Sequence, residues 1–252
     1  MIKKDILTKV SANHDAVAQH GEGLCLPNLL RLYYEFILKK RFMTTEQIAY
    51  RLGTTTYDGT HDGNFHKFLK ESSIPTYEEV ECSPQRLVTI LKKAPSDAMI
   101  IANVFDLHDP RPGYDVTNDG PEGHDLWFMN QMSYGGSYFV QVFDPDTYWG
   151  GVKWVEINNL FSFWHDGPGS KSGAIPRDGT FTGQENVRWF IILGMNKDQA
   201  YKHFGPPEYE TKYIERNGLV VPQSGRLEIT NGCGSRQLSR LTNPRGHTVQ
   251  NL

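Results

Sequence analysis

Only three of the 252 residues are cysteine: Cys25, Cys82 and Cys233. No two of them form a Cys-x-x-Cys pair. The odd, sparse count argues against a disulfide framework and for a reducing compartment. The missing pair removes the usual nucleus of a structural zinc site. Charge of one sign is also lacking. The net charge of −3 gives no electrostatic ground for nucleic acid as a partner. No apolar run approaches the ~18 residues needed to span a bilayer, so no membrane partner is expected. The start, Met1 to Lys9, is basic but has no long apolar stretch, and a secretory signal is not expected. The expected location is the cytoplasm, or export by a route without such a signal. Internal repeats and low-complexity tracts are absent as well.

What is present supports a folded core. Hydrophobic residues make up 38% and aromatics 12%. The length suits one large domain, or one of about 150–170 residues with an appendage. Residues 1–18 read as a short lead-in. Leu29, Leu30, Leu32, Tyr33, Phe36 and Ile37 recur at helical spacing, with Pro27 in the first turn, where its missing N–H costs nothing. Lys39-Lys40-Arg41 closes that helix. Further helices are predicted at 45–52, capped by Thr44 or Thr45 and ended by Gly53, and at 64–69. Ser83-Pro84 opens a fourth helix, with serine as cap and proline at its first position.

The texture then changes. Residues 98–104 read as a buried strand. Segments 125–132 and 138–143 read as a hairpin around Ser133-Tyr134-Gly135-Gly136-Ser137. Residues 153–157 give another strand and 160–164 a helical turn. A Gly-, Pro- and Ser-rich stretch, 166–185, is the best linker candidate. Beyond it come a strand at 187–193, a helix at 196–204 and a polar tail from 230. Helices first and a mostly antiparallel sheet afterwards is an α+β order. The expected division is a catalytic domain at 1–165 and an extension at 166–252 that adds a strand to the sheet or stands apart.

Cys25 opens the first strong helix. A thiolate is the reactive form of cysteine, and a helix N-terminus and a nearby imidazolium both favour it. His124 starts a strand in Gly123-His124-Asp125-Leu126-Trp127-Phe128 and would supply the imidazole. Asp144, in Phe143-Asp144-Pro145-Asp146, would hold the ring in the useful tautomer. Gln19 precedes Cys25 by six residues, and its amide would face the oxyanion beside the Cys25 backbone N–H. Each residue alone has an ordinary structural explanation: a core thiol, a strand-end histidine, an Asp-Pro turn. Their order and spacing carry the functional reading.

These residues resemble the C39-like cysteine peptidases, a bacterial branch of the papain-like superfamily. The matching pieces are Gln19…Cys25, Ile48-Ala49-Tyr50-Arg51-Leu52-Gly53-Thr54-Thr55, Gly59-Thr60, Gly123-His124, Asp144-Pro145 and Glu156…Trp164. They span about residues 15–165. The resemblance implies a papain-like fold and hydrolysis of a peptide or isopeptide bond through an acyl-enzyme, with a protein or peptide as substrate. No cofactor and no metal is implied. Leu24 and Leu26 flank the cysteine where the family usually has Gly or Asp, and the loop 106–122 is longer and more polar than the pattern.

Two rival functions use the same residues. One is an amide-directed effector or toxin acting as deamidase, transglutaminase or amidase. The other is a catalytically silent binding module. His61-Asp62 with His66 makes a poor metal site, because the five-residue interval puts the histidines on mismatched helix faces. Asp144 and Asp146 lack the Gly and terminal Glu of a calcium loop. Gly232-Cys233-Gly234-Ser235 reads as a flexible turn. Trp127, Tyr138, Phe139, Phe143 and Trp154 are expected to pack the core and sheet, with a few lining the cleft.

Overall fold

A computed structural model describes residues 4–12, 17–18, 20, 23–40, 43–56, 59–60, 62–79, 82–105, 123–146, 150–164, 188–207, 213–216 and 219–222. The linker candidate 166–185, the loop 106–122 and the tail from 230 lie outside these residues.

Among the described residues the first four helices are α1 (Lys4–Ala12), α2 (Cys25–Leu32), α3 (Thr45–Leu52) and α4 (Asp62–Glu71). Strand β1 (Thr76–Glu79) and helix α5 (Pro84–Lys93) follow. Then come β2 (Met99–Phe105), β3 (Gly123–Tyr134), β4 (Ser137–Asp144), β5 (Gly151–Glu156) and α6 (Ile157–Phe163). The described chain continues with β6 (Phe190–Leu193), α7 (Lys197–Phe204), β7 (Tyr213–Arg216) and β8 (Leu219–Pro222).

Local signals account for three of the helix starts. Thr44 and Gln47 form a reciprocal cap on α3: the Gln47 N–H donates to the Thr44 hydroxyl and the Thr44 N–H to the Gln47 side chain. Asn196 and Gln199 do the same for α7. Ser83 accepts from the Arg86 N–H, and Pro84 sits at the first helical position of α5. The lead-in contains a helix, α1, whose Ile6 and Val10 are buried. The helix opened by Cys25 is shorter than its apolar spacing predicts. It gives way after Leu32 to one wider π turn, Tyr33–Ile37.

Six strands form one sheet in the order β1-β6-β2-β3-β4-β5. Every neighbouring pair is antiparallel. The sheet is therefore of the predicted kind. Of the expected extension, β6 is an inner strand: it pairs with β1 on one side and β2 on the other.

Side chains alternate across the pleat, so each strand feeds two cores. On one face Met99, Ile101, Trp127, Met129 and Phe143 pack with Leu26, Leu29 and Leu30 of α2 and with residues of α1, α3 and α4. On the other, Ile100, Val104, Leu126, Phe128 and Val142 pack with Leu87, Ile90 and Leu91 of α5 and with α6 and α7. The helix at 84–93 thus leaves its N-terminal companions for the opposite face. Arg86, buried on α5, pairs with Glu79 of β1 and donates to the carbonyls of Phe204 and Gly205, fixing the end of α7. Among the expected packing aromatics, Trp127 and Phe143 are core, whereas Tyr138 and Trp154 are exposed.

Candidate functional site

Cys25 is the first residue of α2. Leu24 before it supplies no side-chain cap. The α2 dipole therefore starts at the sulfur-bearing residue. The approach to it is fixed by Gly23 at φ +70. The Thr55 carbonyl lies against Gly23 closer than any Cβ could stand. Thr55 is held by a bridge to Gly59, and the Thr54 and Thr60 hydroxyls are 2.6 Å apart. The Leu-Gly-Thr and Gly-Thr pieces of the sequence pattern therefore brace the turn that leads into Cys25.

His124 lies one residue inside β3, opposite Val104 of β2. Asp144 closes β4, opposite Gly151 of β5. Their side chains share a face of the sheet and meet: His124 Nε2–H donates to Asp144 Oδ1 at 2.8 Å, both residues being buried. Asp144 also accepts from the Asp146 backbone N–H at 3.0 Å, and Lys153 Nζ stands 3.4 Å from Oδ2. Burial alone would raise the Asp144 carboxyl. The His124 ring, the Asp146 N–H and Lys153 outweigh burial and hold it well below the usual carboxylate range. Burial alone would lower His124, and its carboxylate neighbours, Asp144 foremost, reverse that and raise it. Each partner thus favours the charged form of the other at a buried site.

Cys25 meets the same strand one residue further in. Its Sγ is 3.5 Å from Asp125 Oδ2, and Asn103 Nδ2 donates to Asp125 Oδ1 at 3.0 Å. Asn103 and Asp125 are register partners. They share the face of Trp127 and Met129, on which α2 packs. The pleat sends His124 to the opposite face, with Leu126 and Phe128. The structure therefore brings together two couples at the head of β3, His124 with Asp144 and Cys25 with Asp125.

Gln19 lies outside the described residues. One finding qualifies the sequence reading. Cys25 is disulfide-bonded, against the expectation that the sparse cysteines stay reduced. Cys82 is a buried thiol outside any disulfide, its Sγ 3.5 Å from the Ser83 carbonyl, and Cys233 lies outside the described residues. An oxidised sulfur carries no proton, so the 3.5 Å approach to Asp125 becomes an S–H···O hydrogen bond only in the reduced protein.

Asp125 and Asn103 were missed as site residues. Asp125 was visible beside His124, but its role depends on which face α2 covers. His66 pairs with Glu78 at 2.7 Å, and His61 lies outside the described residues. Among the described residues no group of three His, Cys, Asp or Glu could hold a metal ion, and no helix is long and apolar enough to cross a membrane. Neither a protein-family model nor a curated protein matches the chain.

Proposed function

We propose that the chain is a thiol-dependent hydrolase of the C39-like, papain-like kind that cleaves a peptide or isopeptide bond. The observation that carries this reading is the buried His124–Asp144 couple at the head of the strand against which the Cys25 helix begins. Asp144 engages Nε2, so a thiol proton would pass to Nδ1. That leaves Asp144 as the group that fixes the tautomer and His124 as the proton carrier. Cys25 would attack the acyl carbon. The Cys25 backbone N–H, with Gln19 as its partner, would receive the oxyanion. Water would then release the acyl group. The chemistry requires Sγ and Nδ1 to meet around the head of β3 after the disulfide is reduced.

The burial and oxidation of Cys25 favour one alternative, a catalytically silent binding module. Turnover separates the two. Reduced protein is offered a mixture of unfolded proteins, and new termini are read by mass spectrometry. Cleavage by wild type, lost in Cys25→Ser and in His124→Ala, supports the hydrolase. No cleavage under reduction, and no adduct with a peptidyl electrophile at Cys25, supports the binding module.

A further inference from the structure

Among the described residues strand β5 ends the sheet and pairs with β4 alone. In an antiparallel strand every second residue turns its N–H and C=O away from the neighbour it pairs with. Beyond the β4 ladder, residues 152–155 make one polar contact, that of Lys153 Nζ with Asp144 Oδ2. Sheet edges are ordinarily blunted by short length, proline, a bulge, a covering element or charge. The opposite edge, β1, has four residues and α7 against it. Strand β5 has six residues, no proline and an unbroken register, and its one lysine is drawn back to Asp144. We infer that the outer edge of β5 docks an extended peptide segment, which pairs with it as an added strand.

The surroundings of the edge select this occupant. A row of outward N–H and C=O groups is satisfied by a backbone that is itself extended. Helix α1 lies against β5 on one face, where Val152 packs toward the core of Ile6 and Val10. Helix α6 lies against it on the other, where Val155 packs toward Ile157 and Leu160. A single extended chain fits between the two helices, whereas a second copy would bring its own α1 and α6 against them. Trp154 shares the face of Val152 and is 41% exposed. A docked segment with an apolar side chain at every second position would lay one beside that ring. Gly151 is the register partner of Asp144, so one end of the segment lies at the end of the sheet that carries the His124–Asp144 couple. Its use as a hold on substrate rests on the hydrolase reading; the pairing itself does not.

The test uses the full chain without reductant, so that Cys25 stays oxidised and the probe is not turned over. The probe is a dye-labelled peptide, Lys-Thr-Val-Thr-Val-Thr-Lys, blocked at both ends. Its control has the same side chains with every inner peptide nitrogen methylated, which removes the donors. Fluorescence anisotropy is expected to show saturable binding of the probe. The control should bind roughly tenfold more weakly or worse, because each lost main-chain hydrogen bond weakens the pairing. Hydrogen exchange at 151–156 is expected to slow when the probe is bound. Equal binding of probe and control overturns the inference. So does the lack of saturable binding up to about 1 mM, or slowed exchange confined to other segments. Exchange at 151–156 that slows with protein concentration alone makes the edge a contact between copies and overturns it too. Cleavage of unfolded proteins is scored separately in reduced protein. Binding at β5 without cleavage keeps this inference and removes the hydrolase; cleavage without slowed exchange at 151–156 does the reverse.

Discussion

The carbonyl of Thr55 occupies the space that a side chain on Gly23 would need. Gly23 also has φ +70, where a Cβ is strained in any surroundings. Gly135, in the β3–β4 turn, has φ +60 but nothing within 4 Å of an added Cβ. Gly135→Ala should cost about 1 kcal/mol from the backbone alone. Gly23→Ala should cost about 3 kcal/mol or more, because strain and backbone clash add. Urea midpoints measure both. Equal shifts would mean that the 54–60 segment does not brace the Cys25 turn.

The His124–Asp144 couple makes a pH-dependent contribution to stability. His124 is raised, so its share is complete below the unfolded value of about 6.5 and is lost as pH climbs through the raised folded value. Asp144 is depressed, so its share is complete above about 3.9 and is lost as pH falls through the lowered value. The difference in stability between wild type and Asp144→Asn should therefore be widest between about pH 4 and 6.5, and narrow on both sides. Denaturant midpoints across pH give this curve. A flat difference would mean that the two groups do not share a charge interaction.

Cys25 is oxidised and Cys82 is a buried thiol outside any disulfide. Without reductant, native protein treated with iodoacetamide should carry no label on Cys25. After mild reduction Cys25 should label, and Cys82 should stay protected until the protein unfolds. Peptide mapping distinguishes the two. Labelling of Cys25 in unreduced protein would show that the disulfide is not the state in solution.

Much of the fold was legible because it is written in short-range chemistry. Ser83-Pro84, Thr44 with Gln47 and Asn196 with Gln199 are caps that act within four residues, and each marks a real helix start. The Gly135-Gly136 turn likewise joins β3 to β4. Helix α1 was illegible because Lys4–Ala12 carries only two buried residues, Ile6 and Val10, in a mostly polar stretch. The wide turn Tyr33–Ile37 keeps an apolar pattern that periodicity alone reads as ordinary helix. In the site, the His124–Asp144 interval was legible because two adjacent antiparallel strands set it. The Asp125–Cys25 contact was not, since it requires knowing which face of β3 receives α2. Burial of His124 and the oxidation of Cys25 are tertiary facts that no spacing records.

The fate of a chain ended at Trp164 follows from the sheet order. Truncation there removes β6, which lies between β1 and β2. Phe190, Ile191, Ile192 and Leu193 are all fully buried, alternating between the two cores. Trp164 would also lose the carbonyl of Trp189, to which its indole N–H donates at 2.9 Å. Strands β1 and β2 would be left with open edges and two exposed apolar faces, a template for aggregation. Four buried residues at about 1.5–3 kcal/mol each exceed the whole stability of an ordinary domain at the low end of its range. The truncated chain is expected to aggregate, or to bind a hydrophobic dye without a cooperative thermal transition. A chain ended at Pro207, which keeps β6 and α7, should melt cooperatively. If the chain ended at Trp164 melts as sharply as the full protein, β6 is not integral to the sheet, and the folded unit stops near Trp164.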